Sequence, residues 1–156
     1  EGQAWRSSEC NAGPQHQLQA AGAEADRIMD RAQAAGHVED YRRRKLADHP
    51  AWVRLGALKV LVEWGMGNAR TCMHDPNPNR PQPVYAVAWK PDLIVCRYCT
   101  HLTRLPPGRP RDLTCDGCGA ITQGAHTVVP LWTSMIHLGV LTYGFGSCAG
   151  CKYWED

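Results

Sequence analysis

Three pairs of cysteines stand in the second half of the sequence, each pair separated by two residues: Cys96/Cys99, Cys115/Cys118 and Cys148/Cys151. That spacing lets the chain turn so that both sulfurs of a pair face one ion at about 2.3 Å. A single such pair would fit thiol redox chemistry, but three pairs between residues 96 and 151 point to metal binding. Fifteen residues separate Cys99 from Cys115, within the range found between the halves of a zinc site. Cys72 and His74 supply two further donors just before a proline-rich run. With them the count closes at eight ligands for two tetrahedral sites, leaving Cys10 over. The expectation is two structural zinc ions per chain. Four sulfurs would also suit iron.

The pairing of donors is open to two arrangements. In a nested one, Cys96, Cys99, Cys115 and Cys118 share an ion, and Cys72, His74, Cys148 and Cys151 share the other. In an interleaved one, Cys72 and His74 join Cys115 and Cys118. Nesting is favoured because the central four close the shorter loop. The segment Cys115-Asp-Gly-Cys118-Gly119 resembles the knuckle of zinc-ribbon proteins. Cys148-Ala-Gly-Cys151 and Cys96-Arg-Tyr-Cys99 match it more loosely. Gly117, Gly119 and Gly150 suit the tight turns that free backbone N–H groups to bond thiolates. The resemblance covers residues 93–120 and implies a small antiparallel sheet whose loops carry the ligands. It implies no particular function, since the ribbon serves many.

Catalysis finds little support. Both inferred sites are filled by four protein ligands, with no Asp or Glu beside them as a general base. Ser134 and His137 lie three apart but lack an acid partner and a nucleophile-elbow context. A noncatalytic zinc protein, read as a nucleic-acid-binding or regulatory module, is the leading expectation. A protein-interaction or structural component is the alternative, and a metal-dependent enzyme comes third.

The nucleic-acid reading rests on the residues around the first knuckle. Arg97, Arg104, Arg109 and Arg111 would hold backbone phosphates while Tyr98 and His101 stack on bases. A second basic run, Arg42, Arg43, Arg44 and Lys45, is a further phosphate-binding candidate. Arginine outnumbers lysine 13 to 4. The overall charge argues the other way. The formal value is +2, and seven zinc-bound thiolates with two divalent ions bring it to about −1. The rival reading rests on residues 117–151, which contain no Asp, Glu, Lys or Arg. That stretch, near Trp132, would suit burial against a protein partner. Its longest candidate for a membrane span, residues 127–146, is broken by Pro130, His137 and three glycines, and reads as strands and loops. The start, Glu1 to Cys10, is polar with no cleavage-like region, so a cytoplasmic location is expected.

The elements that must position these donors are short. Residues 1–15 read as a lead. A helix over 16–35 follows from Leu18, Ala21, Ala25, Ile28, Met29 and Ala32 at three- and four-residue steps, with Gly36 as its stop. A second helix is expected over 38–47. A third over 50–65, capped by Asp48 or His49, is apolar on most sides and should be the most buried, with Lys59 and Glu63 paired on its wet side. Residues 75–83, with four prolines, form an extended wrap. Strands are expected at 84–89, 93–95, 127–132 and 140–145. The fold class is therefore α+β. An N-terminal helical bundle over 16–70 packs on a zinc-ribbon-like antiparallel β unit over 71–156 that holds two metal sites.

Overall fold

The computed structural model describes residues 14–36 and 44–154. Within them lie two α-helices and one five-stranded sheet. Helix α1 runs Pro14–Ala34 and α2 runs Ala51–Gly65. The strands are β1 (Arg70–Thr71), β2 (Val84–Val87), β3 (Lys90–Cys96), β4 (Leu131–Leu138) and β5 (Leu141–Cys148), in the spatial order β1-β3-β2-β5-β4. The sheet is mixed, against the expected antiparallel unit. β2 is antiparallel to β3, and β4 to β5, but β1 runs parallel to β3 and β2 parallel to β5. The cause is connection length. Adjacent strands joined by tight turns return antiparallel, whereas the long connections over 72–89, between β1 and β3, and 88–140, between β2 and β5, bring the chain back in the same direction.

Alternation divides the sheet into two faces. Val84 and Ala86 of β2, Ile94 of β3, and Leu141, Tyr143 and Phe145 of β5 turn to one face. They form the main core with Val53, Ala57, Val60 and Trp64 of α2. Phe145 meets Trp52 edge-on at 5.3 Å and stacks with Tyr153, so residues after β5 fold back on the same core. Arg44 supports this end by donating to the Trp154 carbonyl, and His49 Nδ1 lies 2.7 Å from the Tyr153 hydroxyl.

Helix α2 differs from expectation in three ways. Pro50, extended at φ −63 and ψ 157, is its N-cap. Asp48 instead closes a 3₁₀ turn, Leu46–Asp48, by accepting from the Lys45 N–H. Only one side of the helix is covered, leaving Leu55 at 67% and Val62 at 56% exposure. Lys59 and Glu63 do not come within ion-pair distance. One sheet face can bury only one stripe of a helix, and α1 is placed elsewhere. The helix ends at Gly65, with Gly67 at φ +76 turning the chain and donating to the Trp64 carbonyl. That left-handed turn favours glycine because it has no Cβ.

Helix α1 lies across one end of the sheet. Ala21, Ala25 and Met29 are buried as the periodicity predicts, while Leu18 is exposed. Gly22 passes close to the backbone of Gly139 in the β4–β5 turn. Glu24 reaches Arg97 beyond the end of β3, and Asp26 reaches His137 of β4. Both helices thus pack mainly on strands, not on each other as a bundle. The expected helix over 38–47 falls largely outside the described residues. Its last part, from Arg44, is extended chain followed by the 3₁₀ turn. The expected strands are all present, though β4 begins four residues later and runs six residues further than the expected 127–132.

Candidate metal centres

The eight donors gather into two groups of four: Cys72, His74, Cys96 and Cys99, and Cys115, Cys118, Cys148 and Cys151. Within each group the ligand atoms all lie within 4.8 Å of one another, a spread that one tetrahedral ion spans.

Strand β3 positions the first group. It ends at Cys96, and a turn closed by the Cys99 N–H on the Cys96 carbonyl returns Cys99 beside it. β1 pairs alongside, with Thr71 level with Ile94, and so delivers Cys72 next to the end of β3. The Cys96 N–H points at Cys72 Sγ at 3.5 Å. A second turn, Asp75 N–H to the Cys72 carbonyl, swings His74 inward. His74 Nδ1 then lies 3.4 Å from Cys96 Sγ and 3.2 Å from Cys99 Sγ. The proline run that follows is anchored by buried Pro76, whose carbonyl accepts from Trp64 Nε1 at 2.8 Å.

The second group forms at the end of β5. Cys148 closes the strand, and the N–H groups of Cys151 and Lys152 bond back to its carbonyl. The opposing knuckle sits on a small hairpin. Thr114 bridges Ile121, Cys115 N–H donates to Ala120 O, and Gly119 turns at φ +79. Asp116 docks this hairpin. β2 stops pairing with β5 at Gly144, and Asp116 continues the ladder: its N–H donates to the Gly146 carbonyl while its carboxylate accepts from the Gly146 N–H at 2.6 Å. Burial pushes the Asp116 carboxyl above the ordinary carboxylate range, opposed by that N–H. Gly117 N–H faces Cys115 Sγ at 3.3 Å, and Cys118 Sγ lies 3.7 Å from Cys148 Sγ.

Neither the nested nor the interleaved pairing is realised. The sheet explains why. Cys96 is level with Val84, and Val84 with Leu141, so the first group sits where β5 begins. Cys148 lies seven residues further along β5, roughly 20–25 Å away at strand rise. The intervening chain must travel that distance. Lys90 Nζ bonds to the carbonyls of Leu102 and Arg104, and Arg111 donates to the Trp89 carbonyl at 2.6 Å. These contacts draw the chain after Cys99 back along β3 to the opposite end, carrying Cys115 away from Cys96. The two knuckles of the ribbon-like segment 93–120 therefore serve different groups.

Electrostatics makes each group asymmetric. Burial raises the Cys72 thiol, but the Cys96 N–H and His74 outweigh it and bring it down to about 7. Cys115 is likewise raised by burial and lowered further, to about 7, by N–H groups of Cys148, Cys118 and Gly117. Burial and neighbouring thiols push Cys99 up to about 11 and Cys151 up to about 12. Each set thus holds one thiol below the ordinary thiol range and another above it.

The chain matches no family model, no curated protein and no solved structure.

The proposed nucleic-acid residues do not converge. Arg97 stacks over the Tyr98 ring at 4.6 Å and pairs with Glu24, at the α1 end of the sheet. Arg111 is bound to Trp89, at the far end of β3, about 20 Å away at strand rise. His101, Arg104 and Arg109 are exposed in the chain between them. Arg44 is half-buried against Trp154, Lys45 is exposed, and Arg42 and Arg43 lie outside the described residues. The uncharged surface expected near Trp132 is also altered: Leu141 is fully buried, and Lys152 Nζ stands 4.4 Å over the Trp132 ring. Sequence reasoning missed Asp116 as a docking group and Glu24 as the acid that engages Arg97. The only sequence signal for Asp116 is its place inside a knuckle, where a short carboxylate can bond nearby backbone. Among the described residues no helix is long and apolar enough to cross a membrane.

Proposed function

We propose that the chain is a noncatalytic protein held by two structural zinc ions, one on Cys72, His74, Cys96 and Cys99 and one on Cys115, Cys118, Cys148 and Cys151, and that it works by binding another macromolecule. The observation that carries this reading is the division of eight donors into two tight sets of four. Four protein ligands complete a tetrahedron and leave no position for a substrate or a reactive water. Thiolate-rich sets with a histidine favour zinc over hard cations. On the same reading, the helical region of 16–70 packs on the metal region of 71–156, and the chain resides in the cytoplasm, where such thiols stay reduced.

A protein partner fits better than a nucleic acid. The zinc-loaded charge is about −1, and Arg97, Arg44 and Arg111 are engaged within the fold. One observation keeps DNA or RNA as a second reading: Tyr98 is 68% exposed beside Arg97 and Arg31, at a shallow groove floored by Tyr85 and Ile28. Native mass spectrometry of the full chain tests the metal reading. Two zinc ions are expected, and His74→Ala should retain one. Iron in the sites, or cysteines joined as disulfides, would overturn it. Salt-sensitive RNA or DNA binding that Tyr98→Ala abolishes would favour the second reading.

A further inference from the structure

The two edges of the sheet are built differently. β1 is two residues long, and its Arg70 is paired with Asp92. A short, charged edge is a poor template for another strand. β4 is eight residues long, contains no Asp, Glu, Lys, Arg or proline, and pairs only with β5. Its free side is defined by the ladder. The N–H groups of Val84 and Ala88 donate to the carbonyls of Val140 and Gly144, so the even-numbered residues of β5 face β2 and the odd-numbered ones face β4. Their β4 partners are Trp132, Ser134, Ile136 and Leu138. In an antiparallel pair both backbone groups of a residue point the same way. The backbone of Thr133, Met135 and His137 is therefore directed away from the sheet. Leu131, the fourth such residue, is occupied by the Gly124 carbonyl. Among the described residues, nothing bonds the N–H or C=O of the other three.

The His137 side chain is held by Asp26 of α1, at 2.8 Å, and lies 3.3 Å from the Thr142 hydroxyl, but the other two side chains on this edge lack cross-strand company. Thr133 and Met135 stand opposite Gly146 and Gly144 of β5, which offer no cross-strand side chain, and Met135 is 51% exposed. The loop leading into β4 continues the uncharged surface, with Val128 at 94% exposure.

We infer that β4 is a dimerisation edge, which pairs antiparallel with β4 of a second copy of this chain to form one continuous sheet across a two-fold axis. This deepens the interaction-protein reading. Unsatisfied strand groups call for an extended strand, and the pattern of this one is its own complement. With the axis at Met135, that residue faces itself, and Thr133 faces the second copy's His137. All three outward residues on each copy are satisfied, giving about six hydrogen bonds. An isologous contact requires such self-matching. No charge between residues 117 and 151 opposes the approach of an identical surface.

The test is sedimentation velocity on the full chain from low micromolar to submillimolar concentration, with metal content measured in the same samples. Wild type should pass from monomer to dimer. Met135→Pro removes an outward N–H that the monomer does not use, and Met135→Lys sets like charges against each other at the axis. Both variants should remain monomers with unchanged circular dichroism and metal content. Leu58→Lys, on the open side of α2, should dimerise as wild type does. The inference is overturned if wild type stays monomeric throughout, if both edge variants still dimerise, or if Leu58→Lys abolishes the dimer. Metal content reads the zinc proposal separately: a metal-free dimer lost in the edge variants would refute zinc and keep the edge.

Discussion

Replacing Gly117 with alanine is a direct probe of the second ligand group. A Cβ at this position would stand 2.9 Å from Cys151 Sγ and 3.0 and 3.1 Å from two atoms of the Trp52 ring. Ordinary contact lies at about 3.5–4.0 Å between carbons, so each approach is short by roughly half an ångström. Neither neighbour yields easily. The indole packs edge-on against Phe145, and the sulfur is a proposed ligand. Overpacking of this kind costs about 1–3 kcal/mol. If the sulfur gives way, that equals about one to two decades of metal affinity at this group. Chelator competition on the cobalt-substituted protein is the assay, because absorption separates an S₃N site from an S₄ site. The S₄ site should weaken while the S₃N site, at the other end of the sheet, keeps its affinity. The double variant Gly117→Ala/Trp52→Leu should recover part of the loss, with the coupling read from the cycle. Gly119→Ala is the control: its φ of +79 brings backbone strain with open space around it. Equal weakening of both sites, or no weakening at all, would refute the reasoning.

Two further outcomes follow from other contacts. Gly56→Ala sets a methyl group onto the Tyr143 hydroxyl and should cost about 1–3 kcal/mol in chemical denaturation, relieved in part by Tyr143→Phe. His49 is held below its ordinary value of 6.5, first by burial and then by Arg44, with Asp48 opposing. Its neutral form is the one the fold prefers. The stability it contributes is complete above about pH 6.5 and is lost as pH falls through that value towards the lowered one. In thermal melts the difference between wild type and His49→Gln should therefore shrink or invert on acidification; a difference independent of pH would count against the assignment.

Which residues gather as candidate metal donors is legible in this sequence because a cysteine pair separated by two residues is local. How the pairs combine is not. That depends on β2 running antiparallel to β3 and parallel to β5, a relation between segments about fifty residues apart. The same limit applies to α2. Its apolar residues occur all round, so periodicity could not tell which side the sheet would cover, and Leu55 and Val62 emerged exposed. Helix α1 was readable because Ala21, Ala25 and Met29 mark one stripe against a charged remainder. The arginines around Tyr98 are exposed. Their separation along β3 and the engagement of Arg97 by Glu24 are tertiary facts with no local mark. β4 extended beyond its expected end because Leu131–Leu138 alternates only weakly, with Ser134 and His137 in place of clear inward and outward sets.

The placement of the two ligand groups at opposite ends of the sheet bears on how faithfully the strands align. A strand that slips by one residue exchanges its faces, which the buried Leu141, Tyr143 and Phe145 of β5 already oppose. With Cys96 tied at one end and Cys148 at the other, a shifted β3 or β5 would pull its sulfurs out of reach of their ion. In the zinc-loaded form proposed above, metal would act as a second proofreader of alignment, and a chain folded without it would rely on the packing of these side chains alone.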